Sequence, residues 1–594
     1  MVFMSSVTLT IDNLIVTVEA GATILVAAKK LGIKIPTLCA WPEIGHAPGV
    51  CRVCMTEVEG QRSLIAACAF LVSDGMVVHT GTERVRAARK MVVQLLLANH
   101  PQECNFCVRN GNCELQQVAE TVGIKRMRFD YADLDTEGMI DKSSPAIVRD
   151  RRKCILCYRC VAVCEQIQAV CVLTPAFRGN ELKVVPTFDI PLIESNCVSC
   201  GQCIMACPVG AIYEKDDIDE VWKAINNPSK HVVVQEAPSI RAALGEEFGM
   251  PAGSLVTGKM ITALRMLGFD KVFDTNFCAD LTIIEEGQEL LKRIKGGGKL
   301  PMITSCCPGW VKFCEHFYPD LLDLLSTCKS PQQMFGALVK TYYAKQVKIE
   351  PQAIVSVSIM PCTAKKFEAQ RPEMASSGYR DVDYVLTTRE LARMIKEAGI
   401  DFPNLPDGLH DAPMGEYTGA GTLFGVTGGV MEAALRTVYA VVTGKNLQDL
   451  NITPVRGLQG VKEAAVEIGP LGEIKIAVAH GLGNARKLMD LIRGGKTDYA
   501  FVEIMACPGG CIAGGGEPIP TTNEIRVLRS GALYQDDALV QEKRQSHENE
   551  SVKNLYRKFL KEPLGQKSAE LLHTHYVKRG EDIPHQATEC EINE

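Results

Sequence analysis

Two stretches of this 594-residue chain repeat one cysteine spacing, C-x2-C-x2-C-x3-C. The first is Cys154, Cys157, Cys160 and Cys164; the second is Cys197, Cys200, Cys203 and Cys207, followed by Pro208. Thiolates bind iron well because both are soft, and four per cluster complete tetrahedral iron sites. Of the 25 cysteines, 16 fall before residue 208. There is no apolar run of membrane length and no secretory pattern, and the Arg151-Arg152 pair lies too deep to be an export signal. The expected compartment is the cytoplasm, where thiols stay reduced, so the cysteines read as metal ligands rather than disulfides. A formal charge of −6 offers no basic excess for nucleic acid. Length suggests roughly four domains.

The duplicated run resembles a bacterial two-cluster ferredoxin, in which the fourth cysteine of each run serves the other cluster. The resemblance implies one 4Fe–4S cubane on Cys154, Cys157, Cys160 and Cys207 and another on Cys197, Cys200, Cys203 and Cys164. Glu165 stands where the first run would carry its proline. Upstream, "VTLTIDNLIVTVEA" reads as two alternating strands around an Asp12-Asn13 turn and "TILVAAKKLGI" as a short helix, together a β-grasp unit. Cys39, Cys51, Cys54 and Cys68 follow as C-x11-C-x2-C-x13-C. Structural zinc is the plainer alternative there; the spacing resembles the 2Fe–2S domain of complex I-type and hydrogenase subunits. "TERVRAARKMVVQLLLANH" predicts an amphipathic helix with Val85, Ala88, Val92 and Leu95 on its apolar face. It ends at His100, before Cys104, Cys107 and Cys113. A lone histidine at a helix end is ordinarily a surface residue. Here H-x3-C-x2-C-x5-C resembles the His(Cys)3 4Fe–4S domain of the same families.

Beyond residue 223, strand and helix patterns such as "HVVVQ", "IVSVSIM" and "IKIAVAHG" point to α/β lobes. Four cysteines recur there in short loops: Cys307 in "TSCCPGW", Cys362 in "MPCTAKKFE", and Cys507 and Cys511 in "MACPGGCIAGGGEP". The glycines around Cys511 are expected to let the backbone approach something bulky. These loops resemble the signatures of the iron-iron (FeFe) hydrogenases, and with the front end and "LLHTHY" the similarity spans nearly the whole chain. It implies an H-cluster: a 4Fe–4S cubane on Cys307, Cys362, Cys507 and Cys511, bridged by Cys511 to a diiron subcluster carrying CO, cyanide and azadithiolate. It leaves Cys306 free as the last protein stop for a proton. The same match implies a relay Cys306, Glu286, Ser326, Glu289, then solvent. On their own, Glu286 and Glu289 in "DLTIIEEGQELLKRI" are an ordinary i, i+3 pair on a solvated helix face. The match also places Lys365 near a cyanide, with Ala237, Pro238, Ser239 (a candidate hydrogen-bond donor), Gln332, Met360 and Met505 around the pocket.

"KIAVAHGLGNARKL" has a Gly481-x-Gly483 turn between strand and helix, but Arg486 replaces the third glycine of a dinucleotide motif. It reads as a structural turn, so neither NAD nor flavin is expected on this chain. The resemblance implies reversible 2H⁺ + 2e⁻ ⇌ H2, with electrons exchanged with flavin- and iron–sulfur-containing NAD(P)-linked partner subunits of a multimeric, electron-bifurcating type. A self-contained enzyme trading electrons with soluble ferredoxin is the alternative. An electron-transfer subunit of a complex I-like dehydrogenase would fit residues 1–220 only, and an assembly or sensory protein would not need the relay. The expected architecture is multidomain, α+β and α/β. It runs as a β-grasp 2Fe–2S ferredoxin domain (1–80), a small His(Cys)3 4Fe–4S domain (81–142), a two-cluster ferredoxin-like domain (143–222), a two-lobed α/β H-cluster domain (223–526) and a small-subunit-like helical C-terminal region (527–594). Cys171, Cys278, Cys314, Cys328 and Cys590 receive no role and read as core or surface thiols.

Overall fold

The computed structural model describes residues 6–131, 138–540 and 542–580; Cys590 lies outside them. At the front, strands Ser6–Ile11 and Leu14–Glu19 pair antiparallel. Asp12 and Asn13 make the turn with φ of 46° and 67°, the left-handed pair a two-residue hairpin requires. Three more strands complete a five-stranded sheet, in which Ser6–Ile11 runs parallel to Val77–His79. Helix Ile24–Lys30, capped by the Thr23 hydroxyl, packs on it.

Helix Glu83–Ala98 forms as expected, but rotated: it buries Val85, Arg89, Val93 and Ala98 and leaves Leu95 48% exposed. The cause is Arg89, whose guanidinium donates twice to the Met55 carbonyl, at 3.0 and 2.7 Å. A charged side chain takes a seam position because its hydrogen bonds are satisfied there. Periodicity scored by apolar residues alone could not show this.

In the ferredoxin-like segment the two cysteine runs repeat one backbone path. Positive φ occurs at Leu156 and Tyr158 in the first run and at Ser199 and Gly201 in the second. Only the second needs glycine, because a Cβ at 201 would lie 2.5 Å from Thr363 Oγ1 and 2.8 Å from Gly515 Cα. The second loop is thus pressed against the C-terminal lobes.

Those lobes are two four-stranded sheets. One is all parallel, in the order Lys271–Asp274, His231–Glu236, Ile354–Met360, Tyr384–Thr387. The other orders Met302–Ile303, Phe501–Met505, Glu473–His480 and Val461–Glu467, with only the last pair antiparallel. Strand Ile354–Met360 is buried throughout, as a central parallel strand covered on both faces must be. The residues after four strand C-termini (Glu236, Ile303, Met360 and Met505) carry the loops of interest, where open α/β sheets place their ligands. The C-terminal helices close over the lobes. Fully buried Arg241 donates to Glu236 (2.7 Å) and Asp274 and reaches Asp536 at 3.3 Å, tying this region to the strand ends.

The Gly481 turn is filled from within the chain. Gln168 accepts a 3.1 Å hydrogen bond from Leu482 N–H at the start of helix Leu482–Arg493, and the Ile167 carbonyl lies 3.1 Å from where a Cβ on Gly483 would stand. The turn docks the ferredoxin-like segment on the lobe.

Candidate active site

Cys307, Cys362, Cys507 and Cys511 meet on one cavity between the two sheets. Each is positioned by local structure. Cys307 precedes helix Pro308–Phe317, whose proline at the first turn fits a helix start. Trp310, fully buried, donates from its indole to the Thr304 carbonyl at 3.1 Å and locks the "TSCC" loop. Ala506 N–H points at Cys307 Sγ from 3.4 Å. The glycines around Cys511 also serve the packing of the protein itself. A Cβ on Gly510 would stand 2.6 Å from Thr427 N, one on Gly514 2.2 Å from the Pro361 carbonyl, and one on Gly515 2.4 Å from the Cys200 carbonyl. These approaches pack the Cys511 loop against the Cys362 loop at Pro361 and against the Cys200 loop, while Gly510 and Gly514 also line the cavity.

The donor set fits an iron–sulfur group. Burial pushes all four thiols above their ordinary range, and repulsion from neighbouring thiols adds to it at Cys362, Cys507 and Cys511, taking Cys362 up to about 12. Four thiols held together at that cost call for bound cationic metal, which favours their thiolates. The remaining wall is mainly apolar, from Ala237, Pro238, Met360, Met505 and Phe424, with polar Thr275 and Gln332 and the single charge of Lys365. Burial works against the Lys365 ammonium, but Glu368 at 2.9 Å outweighs it and holds the charge. Lys365 Nζ also donates to the Cys306 carbonyl at 3.0 Å, and Gln332 Nε2 shares Glu368 at 3.1 Å. Ser239 is the exception among the expected pocket residues. It is fully buried but absent from the cavity wall, beside Glu517 instead, because the chain turns into helix Ile240–Ala243 there.

Cys306 also lines the cavity, its thiol kept protonated by burial. Glu286 and Glu289 project from helix Thr275–Lys292, yet both are buried, not solvated. Glu286 faces Ser326, and burial pushes its carboxyl up to about 8. The Ser326 hydroxyl donates to Glu289 Oε2 at 3.2 Å. Arg293, one turn further along, grips Glu289 Oε1 at 2.6 and 3.1 Å. Sequence reading missed Arg293, although its i, i+4 spacing from Glu289 was visible.

The front-end cysteines gather in the expected sets. Cys39, Cys51, Cys54 and Cys68 are buried and their thiols interact with one another. Cys164 joins Cys197, Cys200 and Cys203 around one cavity. Cys207 lies near enough to Cys154, Cys157 and Cys160 to raise their pKa values. His100 shares a cavity with Cys104, Cys107 and Cys113. It is 8% exposed, and its Nδ1 finds no hydrogen-bond partner among the described residues. Burial pulls its pKa to about 4, so it presents the neutral nitrogen that a metal needs.

These sets adjoin one another. His46 of the β-grasp unit hydrogen-bonds the Cys157 carbonyl at 3.1 Å. Lys153 Nζ stands 3.9 Å from Cys107 Sγ. Thr363 Oγ1 donates to the Ser199 carbonyl at 2.7 Å, and Gln202 to the Ala513 carbonyl at 2.9 Å. Of the cysteines without a role, Cys278, Cys314 and Cys328 are buried free thiols. Cys171, expected to be a reduced thiol, is disulfide-bonded; it lies outside both ligand runs, which leaves its sulfur available for that bond.

The family profile described as "Iron only hydrogenase large subunit, C-terminal domain" matches residues 230–515. Over 587 residues the chain is 50% identical to the NADP-reducing hydrogenase subunit HndD of Solidesulfovibrio fructosivorans, covering 97% of this chain and 100% of that one. The chain belongs to the iron-only (FeFe) hydrogenases. Further profiles of such hydrogenases and their electron-transfer relatives match in order. They are a 2Fe–2S binding domain at 4–83, the NADH-ubiquinone oxidoreductase-G iron–sulfur region at 89–128, a 4Fe–4S dicluster domain at 153–211 and an iron hydrogenase small subunit at 523–579. Iron hydrogenase 1 of Clostridium pasteurianum is 42% identical over 576 residues, 96% of this chain and 100% of that relative. The solved apo [FeFe]-hydrogenase HydA1 from Chlamydomonas reinhardtii superposes with a TM-score of 0.55 at 44% identity, over 62% of this chain and 100% of that one. This FeFe hydrogenase therefore combines iron–sulfur domains with an H-cluster domain in one mixed α/β chain. Among the described residues no helix is long and apolar enough to cross a membrane.

Proposed function

We propose that this hydrogenase interconverts protons and H2 as the catalytic subunit of a cytoplasmic NAD(P)-linked assembly, passing electrons along its own clusters to flavin-bearing partners. The observation that carries the catalytic part is the four-thiol cavity with one free thiol on its wall and buried carboxyls behind it. When bound, an H-cluster supplies the iron and the bridgehead amine at which H2 is split or formed heterolytically. Cys307, Cys362, Cys507 and Cys511 would hold it. Lys365 sets an ammonium, fixed by Glu368, where an anionic ligand atom such as a cyanide nitrogen is stabilised. Cys306 takes up and returns the proton at Sγ, and Glu286, Ser326 and Glu289 carry it onward.

For electrons, the reading is one 2Fe–2S cluster on Cys39, Cys51, Cys54 and Cys68 and three cubanes. The cubanes are the His100 site and the two crossed ferredoxin-type sets, within the five domains delimited above. The second crossed set touches the catalytic loops through Thr363 and Gln202, and the first adjoins the β-grasp unit through His46. Full occupancy amounts to about 20 iron atoms per chain. Iron and sulfide analysis of a matured, active preparation saturating near about 12 would remove at least one cluster, with the His100 site the first suspect.

The multimer reading leans on the relative named as a subunit of an NADP-reducing hydrogenase. The ferredoxin-linked alternative is favoured by the similarity to Clostridium iron hydrogenase 1, whose name carries no subunit. Purification from the native host separates them. A co-purifying flavin-containing subunit is the expected result; a lone chain fully active with reduced ferredoxin would promote the alternative.

A further inference from the structure

The relay reading ends at Glu289, and the structure continues a hydrogen-bond chain beyond it. Glu289 Oε2, which faces Ser326, also lies 3.1 Å from the Thr327 hydroxyl. Thr327 is exposed, in contrast to its fully buried neighbour Ser326. Its hydroxyl stands 2.8 Å from Nδ1 of His573, and His573 Nε2 stands 3.2 Å from Glu285 Oε2. Histidine 573 comes from the "LLHTHY" segment, which bridges Cys328 and is pinned by backbone hydrogen bonds from Lys329 to Leu572 and from Thr574 to Thr327, each 2.8 Å.

We propose that Thr327 and His573 form the mouth of the proton relay, carrying protons between Glu289 and solvent; this rests on the relay reading above. The tautomer follows from Glu285. That carboxylate accepts from Tyr556, Ser568 and the Leu564 N–H as well as from His573. Burial alone would raise its pKa, but these donors outweigh burial and hold it below the ordinary carboxyl range. An ionised Glu285 requires Nε2 to donate, which leaves Nδ1 as the acceptor facing Thr327. The transfer then balances. A protonated Glu289 gives its proton to Thr327 Oγ1 as the threonine proton passes to Nδ1, leaving carboxylate and imidazolium. The imidazolium loses its proton to water or buffer. In H2 evolution the same steps run inward. The titratable and charged groups around His573 are Glu285 and Glu289 on one helix, Arg293 bound to Glu289, Cys328 beside Thr327, and Tyr556 beyond Glu285.

A merely structural histidine would make the same bonds, so the test uses replacements that keep them. In the matured holoenzyme, His573→Gln retains a donor for Glu285 and an acceptor for Thr327 but cannot take up a proton. Turnover in both directions should fall about tenfold, less than for a fully enclosed acid–base group because water reaches Thr327. Thr327→Val should match it, and the double variant should be no worse than either single one, since both interrupt one path. His573→Ala should regain activity with added imidazole. Intact CO and cyanide infrared bands certify assembly. Parental turnover and an unchanged pH profile in His573→Gln, or independent losses that multiply in the double variant, would overturn the outlet. Glu286→Gln in the same series separates the two ideas: if it is inactive while His573→Gln is normal, the relay stands and only its mouth is misplaced.

Discussion

Cys306→Ala should lower H2 evolution and uptake by about 10²–10⁴-fold, the range typical of losing a required acid–base group, while every cluster stays in place. Cys306 and Cys307 are neighbours on the cavity wall, but only Cys307 sits at the helix start with the Ala506 N–H aimed at its sulfur. The Cys306 thiol is held protonated by burial, with Glu286 behind it. Alanine removes that sulfur and little else: the hydrogen bond from Lys365 goes to the Cys306 carbonyl, which alanine keeps. The loop and the ammonium therefore hold position. Serine should rescue little, since a hydroxyl's far higher pKa is poorly matched to the carboxyl beyond it; aspartate, short and readily ionised, should recover part of the rate. Infrared bands of metal-bound CO and cyanide, measured on the same sample, exclude failed assembly. Near-normal turnover with a complete H-cluster would detach Cys306 from proton transfer altogether.

What sequence made legible here divides by range. Ligand sets spaced by two to five residues were readable because a short loop leaves thiols few places to go, and the Asp12-Asn13 turn because two left-handed residues suit that pair. Contacts made by folding were readable only through family resemblance. Glu286 and Ser326 meet across separate elements, and a glutamate pair on a helix looks solvated until the helix is seen enclosed. Other features had no usable signal. Arg89 turns the helix Glu83–Ala98 by finding a carbonyl, His46 reaches a carbonyl in another cluster segment, and Thr327 meets a histidine near the far end of the chain. Polar residues set these contacts, and hydrophobic periodicity is blind to them. The Cys511 glycines show the opposite failure: their need for space was legible, but the neighbour that fills it was not.

Glu286→Gln should cost turnover as much as Cys306→Ala does, about 10²–10⁴-fold, and it should also change how the enzyme responds to pH. Glutamine matches the carboxyl in size and can still hydrogen-bond Ser326, but it cannot give up and regain a proton. In the parent, burial pushes the Glu286 carboxyl up to about 8, with Glu289 and Glu503 adding to the rise and Ser326 and Arg293 opposing it. At neutral pH the group is therefore a protonated acid between Cys306 and Ser326. It can hand a proton either way, at a pKa close to the working pH. As pH rises through about 8 the acid empties, and proton delivery for H2 evolution should decline over that interval. The sign for stability follows from the same shift. A carboxyl whose folded pKa is raised contributes its stability fully below the unfolded value of 4.5. That contribution is lost progressively as pH climbs through about 8, because the unfolded chain ionises more easily than the folded one. Glu286→Gln has no such group to ionise, so its thermal midpoint should fall less than the parent's between about pH 5 and pH 9. Equal alkaline losses in both proteins would mean that Glu286 is ionised in the folded state. The relay would then lack the acid at its centre, even if the variant were inactive.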